Sequence, residues 1–548
     1  MFSAKNRNVL LAQLNKGEYD VVIIGGGITG AGIALDASAR GLKVALIEMQ
    51  DFASGTSGRS TKLIHGGLRY LKQLELKLVA EVGKERAIVQ HNAPHLTRPE
   101  AMILPIVKNG SLNKFTARIA MWVYEFIASV KKEEWHKVLS KEQTILAEPL
   151  LKKEGLLGGI LFYEYRTDDA RLTIEVLKEA VSLGATAINY IKATSFVYSN
   201  NKIKGVKCHD KINDREFTIT AKYLINAGGP WVDAIDDLDE KQMKHKLHVT
   251  KGVHLVVDHK KLPVKQSAYF DTYDKRMMFV IPRDGKTYMG TTDTFYSGDL
   301  TAPDVLKEDR DYILKCVNEF FPAVKLTASD VESGWAGLRP LVNKPGKGPS
   351  EISRKDEIFE TPSGLIIIAG GKLTGYRKMA QRIVDLISTK MKPLGKHVQE
   401  CTTHHISLSG GKLPSHVTFK DFAKTKIAEG SDYGLTAKEA EVLLYRFGTN
   451  IDILYSIINS TKSTYNSQLP LVVYAQLMYC VEYELCMTPS DFFIRRTGFL
   501  YFDISTMKQW SEAVVTHMQK TLGWSEELKT LYEKELGTAL EEAERIKI

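Results

Sequence analysis

The stretch EYDVVIIGGGITGAGIALDASARGLKVALIEMQD, Glu18 to Asp51, sets Gly25, Gly27 and Gly30 directly behind a β-branched apolar run. An acid, Glu48, closes the next such run. GxGxxG in that position suits the pyrophosphate of a dinucleotide. The first glycine permits the tight turn, the second lets a phosphate approach the backbone, and the third lets the following helix lie against the strand. Glu48 stands where a carboxylate would hold a ribose hydroxyl.

The elements that must position these groups follow from the pattern. Tyr19 to Ile24 is expected as a strand buried on both faces of a parallel sheet, Ala31 to Arg40 as a helix ended by Gly41, and Lys43 to Ile47 as a second strand. This unit alone does not separate NAD from FAD. A pure NAD domain would continue with regular alternation of strands and helices, whereas Asp51 opens a polar loop, DFASGTSGRSTKLIHGGLRY. Its Ser54, Thr56, Ser57, Ser60 and Thr61 hydroxyls and its amides suit a pyrophosphate and a flavin ring laid along it. Two later strands also stop at glycine pairs, KYLINAGGPWVD with Gly228 and SGLIIIAGGKLTGYRKMA with Gly370 and Gly371. The nucleotide sheet is therefore expected to be discontinuous in sequence. A helix expected from near Thr374 would turn its positive end toward N1 and O2 of a flavin.

The 548 residues exceed what one core usually organises, so several domains are expected. Apolar residues at 44% and charged residues at 25% exclude a disordered chain. The net charge of +9 is spread along the sequence, which favours anionic ligands or surfaces without specifying nucleic acid. Five cysteines without a CxxC suggest a reducing compartment. Neither a signal-peptide core nor an uninterrupted membrane-spanning run is seen, and no metal site is expected, because His404 and His405 lack ligands at suitable spacing. P-loop, GxSxG and nucleic-acid signatures are missing too.

Taken with STKLIHGGLRYL, INAGGPW, FVIPRDGKTYMGTTD, GWAGLRPL, AGGKLTGYRKMA and TPSDFFIRRTGFLYFD, the chain resembles the FAD-dependent glycerol-3-phosphate dehydrogenases, of the two-domain glycine- and D-amino-acid-oxidase-like class. The resemblance covers nearly the whole length. Gly58, Arg59 and Thr61 depart from the small or serine residues often seen in the loop, and Gly375 stands where a threonine is common. The implied fold is α/β: a discontinuous Rossmann-like FAD-binding domain (1–100, 165–230, 335–392) and an antiparallel β substrate domain (101–164, 231–334). A linker (393–414) and a helical carboxy-terminal domain (415–548) complete it. Asp284-Gly285 is expected as a hairpin turn, and the segments Ala437 to Phe447, Pro470 to Met487 and Met507 to Leu522 as helices.

The resemblance implies oxidation of sn-glycerol 3-phosphate to dihydroxyacetone phosphate, with hydride leaving C2 for flavin N5 and electrons passing to a membrane quinone. FAD contacts are expected from Gly25, Gly27, Gly30, Glu48, Thr56, Ser60, Gly228, Gly370, Gly371, Leu373 and Thr374. Arg69, Tyr70, Arg339 and Lys372 would hold the substrate, arginine being suited to bidentate phosphate recognition. His254 is the expected base, with His65 as the second imidazole, and Arg339 is also placed to stabilise an alkoxide. The other reading of His254 is a histidine satisfied inside a sheet.

Phe115, Ile119, Trp122, Val123, Phe126 and Val130 share one helical face rimmed by Lys108, Lys114, Arg118, Lys131 and Lys132. Residues 112–132 thus fit an interfacial membrane helix, or equally a core-facing one. With the quinone, this implies a cytoplasmic protein seated peripherally on the inner face of the cell membrane; a homo-oligomer is compatible with the sequence. Three alternatives remain. They are an oxidase using O2, which in the resembled proteins tends to carry an inserted segment, an amine or amino-acid oxidase on the same scaffold, and a non-catalytic binding protein.

Overall fold

A computed structural model describes residues 2–66, 76–108, 110, 132–243, 247–342, 356–462 and 468–546. Arg69, Tyr70 and the aromatic stripe from Phe115 to Val130 lie outside them.

The run expected as a buried strand forms Glu18–Ile24, with every residue after Glu18 buried. It sits near the middle of an eight-stranded sheet. Val44–Ile47 pairs with it in parallel on one side and Arg215–Asn226 on the other, and Ile366–Ala369 runs parallel beyond that. Three strands distant in sequence therefore end side by side, each at a glycine turn. The helix expected over Ala31 to Arg40 begins earlier, at Ile28, because the chain turns directly after Gly27, and it runs to Ala39. Its Gly32 lets the ring of Tyr376, on the helix Tyr376–Met391, pack against the backbone. The helix Asp169–Ser182 packs on its other side.

The second sheet has ten strands, and its pairings are antiparallel apart from Ser267–Asp271 against Arg98–Val107. Met277–Arg283 and Lys286–Gly290 form a hairpin around Asp284-Gly285, both with positive φ as a two-residue turn of that kind requires. Leu247–Asp258 lies between Lys286–Gly290 and Val331–Val342. Residues 250 to 257 are all buried, since neighbouring strands flank it and both its faces are covered. Three expected domain limits cut through continuous strands. Arg98–Val107 crosses 100/101, Leu156–Arg166 crosses 164/165, and Val331–Val342 crosses 334/335; all three strands belong to the second sheet. Polar residues at strand ends blur such limits in a sequence.

Residues 396–418 carry neither helix nor strand. They are nevertheless anchored: Leu408 is buried, and the Asn92 amide donates to the Thr403 carbonyl at 3.0 Å. Beyond them, helices that include Ala437–Phe447, Leu471–Tyr483, Ile504–Leu522 and Glu526–Arg545 share one apolar cluster with the second sheet, whose Met102, Leu104, Ile160, Phe162 and Trp335 belong to it. Buried ion pairs tie this region to the nucleotide sheet. Arg496 meets both Asp51 oxygens, at 2.6 and 2.9 Å, and Arg171 meets Glu484 at 2.5 Å. Burial alone would raise the Asp51 carboxyl, but Arg496 and then Arg495 outweigh it and hold it at about 2. Among the described residues, no helix is long and apolar enough to cross a membrane.

Candidate active site

A cleft of about 640 Å³ opens where the glycine-ended strands meet the second sheet. Gly25, Gly27 and Gly228 line one part of it, with Glu48, Thr56 and Ser60. Gly370, Gly371, Lys372, Leu373 and Thr374 line another, and His65, His254 and Arg339 a third. Of the expected site residues within the described chain, Gly30 alone does not line the cleft. A side chain at Gly30 would collide with the Gly25 carbonyl, so this glycine serves the close approach of helix to strand.

The nucleotide end is built from backbone. Gly25 has a φ of 119°, and a Cβ there would stand 2.5 Å from the Ala227 carbonyl of the adjacent strand. Ser57 accepts the Ile28 amide at 2.9 Å and so occupies one of the free donors at the helix start. Glu48 accepts the amides of Gly26 at 2.7 Å and Gln50 at 2.8 Å; burial raises its carboxyl, and the two amides oppose that. Two expected loop contacts turn out to brace the second sheet. Thr56 donates its hydroxyl to the Leu338 carbonyl at 2.5 Å. Ser60 accepts the Trp335 indole on its carbonyl at 3.1 Å, and its hydroxyl oxygen accepts the Lys62 amide at 3.0 Å. The expected helix near Thr374 begins as a short 3₁₀ turn, Leu373–Gly375, before the α-helix starts at Tyr376. Thr374 donates to the His65 carbonyl at 3.2 Å, joining that turn to the loop.

The reacting end is built from side chains of the second sheet. His254 is 2% exposed and stacks on Trp335, with centroids 4.8 Å apart and planes at 13°. Its Nε2 lies 3.0 Å from the Thr61 hydroxyl, and Nδ1 is buried without a hydrogen bond. Burial, then the charges of Arg339 and Lys62, lower its pKa well below the usual imidazole value, so the ring is neutral and able to take a proton. Arg339 is held by Asp293 at 3.1 Å and the Thr291 hydroxyl at 3.2 Å. Lys372 acts on Glu164. Burial raises that carboxyl, and Arg86, the Gly66 amide and Lys372 pull it back in part. Glu164 in turn accepts the Gly66 amide at 3.1 Å, beside His65, and Arg86 at 3.0 Å.

Sequence reading missed Glu164, Arg86, Asp293 and the stacking role of Trp335. An acid in the otherwise apolar strand Leu156–Arg166 was the available signal for Glu164. Asp293 and Trp335 stood inside quoted segments, but only the strand pairing shows what they touch.

Glycine turns that leave amides open, an acid at the second strand and a cleft within the usual 300–1,000 Å³ range of ligand sites (about that) fit FAD. Fold and site together define a flavin-dependent oxidoreductase of the glycine-oxidase type. The FAD dependent oxidoreductase family model matches residues 20–377, and the model described as the C-terminal domain of alpha-glycerophosphate oxidase matches 401–529. An aerobic glycerol-3-phosphate dehydrogenase of Staphylococcus haemolyticus is 52% identical over 546 residues, covering 99% of this chain and 98% of its own. The glycerol-3-phosphate dehydrogenase from Bacillus halodurans, solved complexed with FAD, superposes with a TM-score of 0.86 at 46% identity, covering 99% of each chain. Glycine oxidase from Geobacillus kaustophilus covers 73% of this chain and all of its own with a TM-score of 0.52 at 17% identity, a likeness of fold alone. The chain belongs to the FAD-dependent oxidoreductases and, within them, to the aerobic glycerol-3-phosphate dehydrogenase family.

Proposed function

We propose that the chain oxidises sn-glycerol 3-phosphate to dihydroxyacetone phosphate and passes the electrons to a membrane quinone. The observation that carries this is one cleft uniting the glycine turns with a neutral His254 and the cations Arg339 and Lys372. FAD, when bound, supplies the acceptor for the C2 hydride. Gly25, Gly27, Gly228, Gly370 and Gly371 would hold it through backbone approach, with Glu48 at the ribose. The chain's own residues then have three tasks. Arg339 and Lys372 neutralise the substrate phosphate, together with Arg69 and Tyr70 by sequence position. His254 takes the C2 hydroxyl proton at Nε2, where the Thr61 hydroxyl now sits, and His65 is the second imidazole of the cleft. Trp335 fixes the ring plane by stacking, and Asp293 aims Arg339.

Anaerobic addition of glycerol 3-phosphate to the FAD-loaded protein should bleach the flavin band at about 450 nm. Bleaching by glycine instead would assign the amine-oxidase chemistry. The acceptor is tested separately. The full-length match to a dehydrogenase leaves little room for an inserted segment, which supports a quinone. Stoichiometric peroxide under air would overturn that. The peripheral membrane seat through 112–132 is checked by salt or carbonate washing of membranes, and full activity in low-salt cytosol would refute it.

A further inference from the structure

A second cavity, of about 90 Å³, lies where the helix Ala437–Phe447 meets the second sheet and the helix Asp169–Ser182, and it shares no residue with the cleft above. Its wall is unusually basic. Arg98 and Arg166 come from paired strands, Arg283 from the hairpin, Arg171 from the helix Asp169–Ser182, and Lys438 and Arg446 from the carboxy-terminal region.

Most of these cations already have acids. Arg283 faces Asp168 at 3.5 Å and Asp284 at 3.4 Å, and Arg166 reaches Glu100 at 3.7 Å. Arg171 is matched by Glu484 and Glu175, and Lys438 by Glu441 at 3.1 Å. Arg98 and Arg446 are different. Among the described residues neither forms an ion pair, although Asp284 and Glu441 act on Arg98, and Asp168 and Asp284 on Arg446, from farther away: Arg98 lies over the Tyr445 ring, while Arg446 donates to Gln476 and to the Thr497 carbonyl at 2.9 Å. Burial, and then the neighbouring Arg166, bring Arg98 down to about 10; burial brings Arg446 to about 10 as well. Three further groups on the same wall are buried with unused polar atoms: both ring nitrogens of His95, the Thr167 hydroxyl and Arg171 Nε. His95 is 1% and Thr167 3% exposed.

Two half-buried guanidiniums that form no ion pair of their own, on a wall lined by six cations and three carboxylates and beside buried groups with unused polar atoms, make a place that an anion would stabilise. We propose that this junction is a binding site for a free tetrahedral oxyanion, phosphate or a small phosphate ester, which clamps the carboxy-terminal helices onto the second sheet and the helix Asp169–Ser182. The volume holds about three waters at ~30 Å³ each, enough for one such group and too little for a nucleotide. Arginine forks match its oxygens in pairs, and His95 and Thr167 can each donate one more hydrogen bond. Because the anion would bind the docked arrangement alone, it should raise the stability of that arrangement.

The test uses FAD-loaded, full-length protein at constant ionic strength with phosphate replacing chloride. An Arg339→Gln background weakens phosphate binding in the substrate cleft. There, melting temperature should rise saturably by ~2 °C or more with phosphate. The rise should vanish in Arg98→Gln and Arg446→Gln. Arg98→Glu supplies an anionic group internally, so it should melt higher than its parent in chloride and ignore phosphate, a gain that misfolding cannot mimic. Phosphatidate vesicles form the second arm, and their binding should not depend on Arg98. The proposal is overturned if phosphate has no effect, if its effect survives Arg98→Gln, if Arg98→Glu melts lower in chloride, or if only vesicles bind through Arg98.

Discussion

The two walls of the cleft are made in opposite ways. The nucleotide wall is backbone: Gly25, Gly228, Gly370 and Gly371 end parallel strands, and its contacts depend on the absence of side chains. The opposite wall is side chain: His254 and Arg339 project from adjacent strands of the second sheet, and their state depends on burial and neighbouring charge. Substitutions on the first wall should therefore act on cofactor retention, and those on the second on rate and substrate affinity.

The largest expected effect breaks the backbone wall. Gly30→Val places a branched side chain against the Gly25 carbonyl, and the purified protein should be colourless even after incubation with excess FAD. Next, His254→Gln should keep its yellow colour yet lose roughly 10²- to 10⁴-fold in kcat, the usual range for a general base. Arg339→Gln should raise KM more than it lowers kcat. It should also raise the His254 pKa while leaving it below the usual value, since burial, the first cause, remains; NMR titration of the ring checks this.

The third contrast lies outside the cleft. Asp51→Asn removes the partner of Arg495 and Arg496 and should cost about 3–5 kcal/mol, read as a lower denaturant midpoint. The wild type should show the same dependence in acid. Asp51 and Glu484 are both held at about 2, below their unfolded values, so their stabilisation is complete at neutral pH. It is lost as pH falls from about 4.5 toward 2, by roughly 2 kcal/mol for Asp51 and about 3 kcal/mol for Glu484. The smallest effect concerns Gly375, where a Cβ meets nothing within 4 Å and φ is −89°. Gly375→Thr should be tolerated, within about 1 kcal/mol of neutral in thermal melting.

The same contrast governs what the sequence made legible. Gly25, Gly27, Gly30 and Glu48 could be read because strand, turn, helix and acid are consecutive, and their geometry is local. Gly228 and Gly370 could be read as turns, while their convergence on Gly25 needed parallel pairing across more than one crossover. His254 and Arg339 were nominated through resemblance; neither periodicity nor spacing shows that Trp335 stacks on one or that Asp293 pins the other. Glu164 was hidden because a single acid in an apolar strand does not announce its partners, Arg86 and the Gly66 amide. The limits at 164/165 and 334/335 failed because each falls inside one continuous strand of the second sheet, where no break in composition marks a boundary.

The most direct measurement is anaerobic rapid mixing of glycerol 3-phosphate with FAD-loaded wild type, His254→Gln and Arg339→Gln, following flavin absorbance in a single turnover. Both variants should bind FAD normally, with His254→Gln slowed at least about 100-fold at saturation and Arg339→Gln needing far more substrate to reach a rate near that of wild type. Reduction of all three at equal rates and equal half-saturation would contradict a substrate held between the two walls by these residues.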